Sequence, residues 1–479
     1  MTTSTAVYIL AVLACSHLVT AFEDIQMLIE MTRHGSRMPE RWYQHVKWTE
    51  GLSPGQLTPI GMRMHYLLGK ELRNRYSRIF ENGLKPEEYY IRSTSIHRAI
   101  ESATSHMHGL WDQFSDFKIS FRNDDKRIQP PQTPRDTLYV GYKTPLPAGL
   151  IVNPIHMVPL HEDTLLMLWD SDGCLALRDK LHEGFFEISR KLEGSLEFKE
   201  IVRRIHTKYD MPFEEEPLFS SCIHLSEFVS QDAVNNPNPK IKMNEDLFKF
   251  AERCYQAKVL IRYRDLELVK VHNAELVSEI IKKLSDKAEG LTPTAKYHYY
   301  SAHDSTLSGI LVASGILSPY CAADSLYSGT LSPCPNFPDV ASNIIFELID
   351  DNGTQYARML YNFDAVDVCS LGNKDDKYRC PLQAFIIAFE AYGDADRNKF
   401  CLRDDAEKQE SHLNAARVML NTWQISSAVV LVLICLISIG WCLMCANMKI
   451  CQISRPMFIK SKTCILNATT SMADVSSPK

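Results

Sequence analysis

The stretch "DIQMLIEMTRHGSRMP" (Asp24–Pro39) decides the fold, because a short apolar run leads directly into a dense polar cluster. The run "DIQMLIEM" is bounded by polar residues, which predicts a buried β-strand. Arg33, His34 and Arg37 then crowd one loop, and Gly35 gives the backbone room to bend. The arginines suit an anion, whereas anion binding alone does not require a histidine. The stretch therefore predicts a strand that ends in an anion site with a reactive group.

The rest of the chain repeats this alternation of strand and helix. Strands are predicted in "EEYYIRS" (87–93) and "KYHYYSAHD" (296–304), and helical periodicity follows each of them. A helix is also predicted in 57–80, with Thr58 as N-cap and Pro59 in the first turn. The segments "ASNIIFELID" and "QYARMLYNF" predict a later hairpin. The pattern predicts an α/β fold with a mainly parallel sheet flanked by helices. The mostly helical region 162–284 is interpreted as an inserted cap.

Three polar clusters follow the predicted strands, namely "RHGSR" (33–37), "IRSTSIHR" (91–98) and "AHD" (302–304). Ligands of open α/β sheets bind at the carboxyl ends of the strands, where these clusters can converge. Arginine forks bind phosphate oxygens in pairs, and a helix that starts near Ser95 adds its N-terminal dipole. The combination predicts a phosphate site. Arg98 fits a charge on the helix surface equally well and is left out of that site.

Phosphoryl transfer needs a nucleophile and a proton donor for the leaving group. His34 fits the first role, since neighbouring arginines lower the pKa of an imidazole and keep it unprotonated. Asp304 is the available proton donor. A single histidine after a strand is more often structural than catalytic, and "HD" alone is a weak signal. The ordered occurrence of all three clusters favours catalysis.

These motifs resemble those of the histidine acid phosphatase family. "RHGSRMP" is similar to the RHGxRxP signature, "LTPIGMRMHYLLGKELRNRY" to the LTxxG segment with its LGxxLRxRY end, "IRSTSIHRAIESA" to the RSTxxxRxxxSA stretch, and "YYSAHDSTL" to the HD motif. The resemblance covers about Glu23–Cys401. It implies that His34 is the phosphorylated nucleophile and that Asp304 protonates the leaving oxygen. It further implies that the phosphate is bound by Arg33, Arg37, Arg92 and His303, without a metal or other cofactor.

The resemblance also implies disulfides between Cys174 and Cys401 and between Cys369 and Cys380. Eight of the 14 cysteines lie in the predicted exported domain, an even number that is typical of disulfide-bonded proteins. The pairing of the remaining four stays open from the sequence: Cys222, Cys254, Cys321 and Cys334. Asn352, in "NGT", is a candidate glycosylation site.

Both ends of the chain carry segments typical of a membrane protein. Residues 1–21 read as a signal peptide, with a buried N-terminal helix as the alternative. After the catalytic domain (22–402) come a stalk (403–423), an uncharged apolar segment (424–446) and a basic tail (447–479). The apolar segment is long enough to span a bilayer, and core helices of this length rarely lack a charged face. The positive-inside rule puts the tail in the cytosol and the catalytic domain outside or in a lumen.

The sequence leaves several functions open. The net charge of −6 and the absence of a basic stripe with aromatics argue against a nucleic-acid partner. The favoured function is hydrolysis of small-molecule or peptide phosphate monoesters. A phytase-like, inositol phosphate or lipid phosphate phosphatase is the alternative, with further cap cations as its expected mark: Arg178, Lys180, Arg203 and Arg204. A silent domain that binds phosphorylated ligands is the non-enzyme alternative.

Location and oligomeric state also stay open from the sequence. The tail contains no tyrosine, whereas lysosomal members of the family are sorted by a tyrosine signal. The cell surface, other endomembranes and the lysosome are therefore all compatible with the chain. A homodimer is compatible with the sequence as well.

Overall fold

A computed structural model forms two compact units, Met1–Asp405 and Ala406–Lys479. It describes residues 24–40, 51–81, 83, 85–111, 150, 152–169, 174–208, 217–236, 244–330, 334–369, 378–393, 399–401, 417, 435–440 and 443. The predicted signal peptide and cytosolic tail lie outside these residues, as do most of the stalk and of the apolar segment 424–446. None of the helices in the described part combines the length and apolar character needed to cross a bilayer.

Seven strands of the described part form one sheet with the spatial order β2-β3-β1-β4-β5-β6, and β7 pairs with β5. Their bounds are β1 Asp24–Arg33, β2 Tyr89–Ser93, β3 Tyr297–Ala302, β4 Asn343–Asp351, β5 Thr354–Tyr361, β6 Asp364–Val366 and β7 Cys380–Pro381. The pairs β1–β3 and β2–β3 are parallel, and the other four are antiparallel. The prediction of a mainly parallel sheet is therefore wrong, since the sheet is mixed.

The hairpin of β4 and β5 explains the mixed sheet. Its turn is Asn352–Gly353, where both residues have positive φ values of 54° and 84°. Two central residues with positive φ are typical of the tight turns that join antiparallel strands. Because β4 pairs antiparallel with β1, every strand that the hairpin adds extends the sheet in antiparallel fashion. The parallel part is confined to β2, β3 and β1, which carry the three polar clusters.

Helices cover both faces of the sheet and form most of the cap region. Their bounds are α1 Pro59–Arg75, α2 Ser77–Phe80, α3 His97–Trp111, α4 Leu175–Glu193, α5 Leu196–Lys208, α6 Leu218–Asn235, α7 Glu245–Leu260, α8 Leu266–Ala288, α9 Asp304–Ala313, α10 Cys321–Ser328 and α11 Leu382–Gly393. Short 3₁₀ turns occur at Pro86–Glu88, Leu160–Glu162 and Ile261–Tyr263. Helix α1 begins as predicted, because Thr58 Oγ1 accepts a hydrogen bond from Gly61 N and Pro59 occupies the first position.

The alternating side chains of β1 divide the core between the two faces. Leu28 packs with residues of α1 and α3. Met27, Ile29 and Met31 point to the opposite face and join the apolar cluster that includes the cap helices. Period-2 alternation on a buried central strand thus produces a helix–sheet–helix arrangement. This arrangement leaves the carboxyl end of β1 between the two helical layers.

Helices α1 and α3 approach each other through glycines. A Cβ atom on Gly109 would lie 1.9 Å from Tyr66 O, and one on Gly69 would lie 2.1 Å from His106 O. Neither position has room for a side chain at this helix separation. The close contact fixes α3, whose first turn follows the carboxyl end of β2.

Four disulfides cross-link the described part: Cys174–Cys401, Cys222–Cys254, Cys321–Cys334 and Cys369–Cys380. The first and the last join the cysteines that the family resemblance pairs. Cys222–Cys254 joins α6 to α7, two cap helices that both contribute side chains near His34.

Candidate active site

The loop after β1 is held on both sides by backbone contacts. His34 N donates to Ala302 O at the end of β3, and Ala341 N donates to His34 O, each over 3.1 Å. Gly35 packs directly on the start of α1, where an added Cβ would lie 2.4 Å from Gly61 O. Glycine is therefore required at this position by close approach of two backbones. The result is a rigid frame for the His34 side chain.

The imidazole of His34 has one nitrogen occupied by the backbone. Nδ1 lies 2.8 Å from Gly35 O, and because a carbonyl oxygen can only accept, Nδ1 carries the proton. The lone pair of Nε2 is then available. Only 3% of His34 is exposed. Burial lowers its pKa well below the usual value for histidine, and the charges of Arg98, Arg33 and Arg37 lower it further.

Asp304 lies beside His303, at the first position of α9. Its Oδ2 accepts from Tyr255 OH over 2.6 Å and from Arg33 Nη2 over 2.8 Å, and its Oδ1 accepts from Ser305 N over 2.8 Å. Burial acts to raise the pKa of Asp304, but Arg33 and the hydrogen bond from Tyr255 outweigh it. The pKa consequently lies well below its usual range. Asp304 is therefore ionised.

Each arginine of the site has a carboxylate partner. Besides the pair of Arg33 and Asp304, Nη2 of Arg37 pairs with Glu227 Oε1 on α6. The other two pairs are Arg92 Nη2 with Asp163 Oδ1 at 2.6 Å and Arg98 Nη2 with Glu40 Oε1 at 3.3 Å.

The same four arginines retain unused donors. In Arg33, Arg37, Arg92 and Arg98, the Nε atom is buried without a hydrogen-bond partner. Buried donors in folded proteins are normally satisfied, so four guanidinium groups that each keep one unused Nε donor indicate a missing acceptor. An oxyanion supplies the acceptors that such donors require.

A cavity of about 340 Å³ opens in front of His34. Four of the sequence-predicted site residues lie along its wall: His34, Arg37, His303 and Asp304. His303 stands with its ring centroid 5.3 Å from that of His34, and its Nε2 lies 3.0 Å from Thr94 Oγ1. The sheet topology therefore brings the ends of β1 and β3 together.

Two predicted binding residues lie beside this cavity, outside its lining. Arg33 reaches a neighbouring cavity of about 330 Å³ that shares Arg37 and Tyr255 with the first. Its guanidinium bonds to Asp304 and to Pro338 O. Arg92 directs Nη2 to Asp163, a fully buried carboxylate. Four of the six predicted residues therefore line the cavity, and Arg33 and Arg92 do not.

Sequence reasoning missed several residues of the cavity. Arg98 lines it, although it is left out of the predicted site. The available signal was its place in the first turn of α3, directly after a strand end. Tyr255, Lys258 and Arg262 also line the cavity. Their spacing of three and four residues puts them on one helix face, but the sequence does not tell which way that face turns.

Among the residues that the structure describes, no group of histidine, cysteine and carboxylate side chains is arranged to hold a metal ion.

Known proteins resemble this chain in sequence and in fold. The family model "Histidine phosphatase superfamily (branch 2)" matches residues 40–140. Rat prostatic acid phosphatase is 27% identical over 374 residues, which cover 76% of this chain and 85% of that protein. Lysosomal acid phosphatase of Xenopus laevis is 26% identical, covering 76% and 75%.

Solved structures extend the likeness to fold alone. The phytase of Citrobacter braakii superimposes with a TM-score of 0.51 at 14% identity, covering 77% of this chain and 98% of that one. The multiple inositol polyphosphate phosphatase of Bifidobacterium longum gives 0.53 at 11% identity, covering 76% and 92%. The sequence of the chain is thus similar to branch 2 of the histidine phosphatase superfamily over residues 40–140, and to named acid phosphatases over a larger part of its length. The chain is a phosphatase.

Removal of the Arg98 charge should change how His34 titrates. Arg98 lowers the pKa of His34, so Arg98→Met should raise that pKa. Protonation of His34 then begins at a higher pH, and the acid limb of kcat/KM should move upward. The measurement is the pH profile of kcat/KM for nitrophenyl phosphate. Lys249→Met, at an exposed residue paired with Glu245, is the control and should leave the limb in place. An unmoved acid limb in Arg98→Met would contradict the charge effect.

Proposed function

We propose that the chain hydrolyses phosphate monoesters through a covalent phosphohistidine on His34. One observation carries the proposal: the Nδ1–H of His34 donates to Gly35 O, so Nε2 is unprotonated and its lone pair is available to attack phosphorus. The depressed pKa keeps it unprotonated in mildly acidic surroundings. The unsatisfied arginine donors around it support a phosphoryl group as the electrophile.

Binding begins with an exchange of partners. The phosphoryl oxygens take hydrogen bonds from Arg33, Arg37, Arg92 and His303. Arg92 swings partly away from Asp163 to do so. The guanidinium forks also stabilise the charge that spreads over the equatorial oxygens during transfer. Arg98 adds a further positive charge at the cavity wall.

Asp304 then changes its protonation state. A bound phosphoryl group draws on the Arg33 charge and adds negative charge nearby, and both effects raise the pKa of Asp304. Protonated Asp304 donates its proton to the ester oxygen as the P–O bond breaks and the bond from His34 Nε2 to phosphorus forms. The carboxylate next accepts a proton from the water that attacks the phosphohistidine. Phosphate leaves, and His34 is regenerated.

The covalent step can be tested by trapping. Brief reaction with ³²P-labelled substrate, followed by denaturation, should leave label that survives base and is lost in acid, as expected of phosphohistidine. His34→Ala should carry no label and should hydrolyse nitrophenyl phosphate at background rate. The exposed His97 provides the matched control, since His97→Ala should label like the parent chain. Full labelling of His34→Ala would overturn the assignment.

The role of Asp304 can be tested with leaving groups of different quality. An alkoxide needs a proton in the transition state, whereas nitrophenolate is stable as an anion. General-acid assistance is worth roughly 10²–10⁴-fold. Asp304→Ala should therefore slow the phosphorylation burst far more for alkyl phosphates than for nitrophenyl phosphate. Equal slowing of both bursts would favour a purely positional role for Asp304.

The alternative functions differ in what they require of the cavity. The four cap cations expected for a phytase-like pocket are not among the residues that line it: Arg178, Lys180, Arg203 and Arg204. A silent ligand-binding domain does not need an ionised Asp304 within a hydrogen-bonded cluster beside a nucleophile. The silent domain is therefore disfavoured, while the absence of these four cations from the lining removes only the mark that the sequence offered for a phytase-like pocket.

We further infer that the catalytic domain is lumenal or extracellular on a single-pass type I membrane protein. Four disulfides, the apolar segment 424–446 and the basic tail 447–479 support this topology. Protease added outside intact cells should reach the extracellular part of the chain. Protease added outside sealed vesicles whose cytosolic face is outward should reach the tail. An epitope on the tail should be lost only from the cytosolic side. Loss of the tail epitope on intact cells would reverse the orientation.

A further inference from the structure

The cap contributes one continuous helix face to the cavity in front of His34. Tyr255, Lys258, Val259 and Arg262 all line the cavity. The first three lie on α7, and Arg262 lies in the 3₁₀ turn that continues it. Tyr255 bonds to Asp304, which places this face beside the proposed proton donor. The face is therefore next to the oxygen that leaves, and it meets the alcohol half of a substrate.

The cations on this face differ from the four arginines near His34 in their ion pairing. Each of those arginines pairs with a carboxylate. Lys258 and Arg262 form no ion pair with a carboxylate of the described part, although both lie at the cavity wall. Two adjacent cations without a directly paired carboxylate are costly to hold in a partly buried wall. Their presence there is explained if a ligand brings the opposite charge.

Arg262 is also held in a fixed position. Its Nη1 donates to Lys258 O over 3.1 Å, and its guanidinium carbon lies 4.5 Å from the centre of the Trp169 ring. Its Nε is buried without a hydrogen-bond partner. A stacked guanidinium with an unused donor is an organised anion receptor rather than a mobile surface charge. Burial lowers the pKa of Lys258, while the charges of Glu227, Glu40 and Asp304 act in the opposite direction.

We propose that Lys258 and Arg262 bind a second anionic group, a phosphate or a carboxylate, on the alcohol half of the phosphate monoester. The inference rests on the proposed phosphatase function and adds a substrate class to it. The preferred substrates are then esters with two anionic groups, one at His34 and one at the cap. A phosphate ester of an uncharged alcohol occupies only the first position.

Matched synthetic esters test this selectivity on the full chain. The probes are propyl phosphate, propane-1,3-diol bisphosphate and 3-phosphooxypropanoate, together with the two- and four-carbon homologues of each. The parent chain should show a higher kcat/KM for the doubly anionic probes, which are the bisphosphates and the carboxylates, than for the matched alkyl phosphate. The preference should be roughly tenfold or more for each charge-assisted contact. The carboxylate and bisphosphate arms distinguish which second group is favoured.

Single substitutions then assign the preference to the two cations. Lys258→Met and Arg262→Met should each lower the ratio of kcat/KM between doubly anionic and alkyl probes by roughly tenfold, mainly through KM. Lys258→Arg keeps the charge and should keep most of the ratio, so a folding defect can be told from a charge effect. Lys249→Met on the same helix is the control and should retain the parent ratio.

The outcomes separate this inference from the proposed function. An active parent chain with no preference for the doubly anionic probes would overturn the second anionic site and leave the phosphatase intact. Variants that keep the full preference would do the same. A folded parent chain with no activity on any of the esters would instead overturn the proposed phosphatase function.

Discussion

The ion pair between Arg33 and Asp304 is the contact on which the rest of the site depends. The two residues are far apart in sequence, yet Arg33 ends β1 and Asp304 follows β3, and these strands are parallel neighbours. Their guanidinium and carboxylate meet at 2.8 Å in a buried setting. Such a pair is stable only when both charges have further partners, and Pro338 O, Tyr255 and Ser305 N supply them. The parallel register and the cap helix α7 thus converge on one pair of charges.

The electrostatics of the site follow from this arrangement. Positive charge and burial act together on His34, so its pKa falls. They act against each other on Asp304, where the nearby cation and hydrogen bonds prevail. An imidazole that stays unprotonated and a carboxylate that stays ionised are both consequences of the buried arginines packed around them. Arg33 lowers the pKa of both groups.

Local sequence predicts the centre of this site well and its surroundings poorly. His34, His303 and Asp304 could be predicted to meet, because polar residues directly after parallel strands share one edge of the sheet. The partner of Arg92 is Asp163, 71 residues further along, and no local pattern links them. Arg98 looks like any helical surface charge until the first turn of α3 is placed against β3, where Ser301 Oγ donates to Ala99 O. The hairpin is predictable from its two strand patterns, but its attachment to β1, which makes the sheet mixed, is decided by tertiary packing. The orientation of α7, which the Cys222–Cys254 bridge ties to α6, is likewise set by tertiary contacts.

The carboxylate partners of the arginines bear on how the site empties after each turnover. Inorganic phosphate would occupy four unopposed guanidinium groups so tightly that it would block the next cycle. Glu227, Asp163, Asp304 and Glu40 are each paired with one of these arginines. In the proposed reaction each carboxylate would compete with phosphate for its arginine and would regain that partner when phosphate departs. Internal competition of this kind lowers affinity for the bound product and the bound substrate alike, while contacts made only during transfer keep their value. The site therefore favours rapid discharge over tight retention, and we expect weak inhibition by free phosphate.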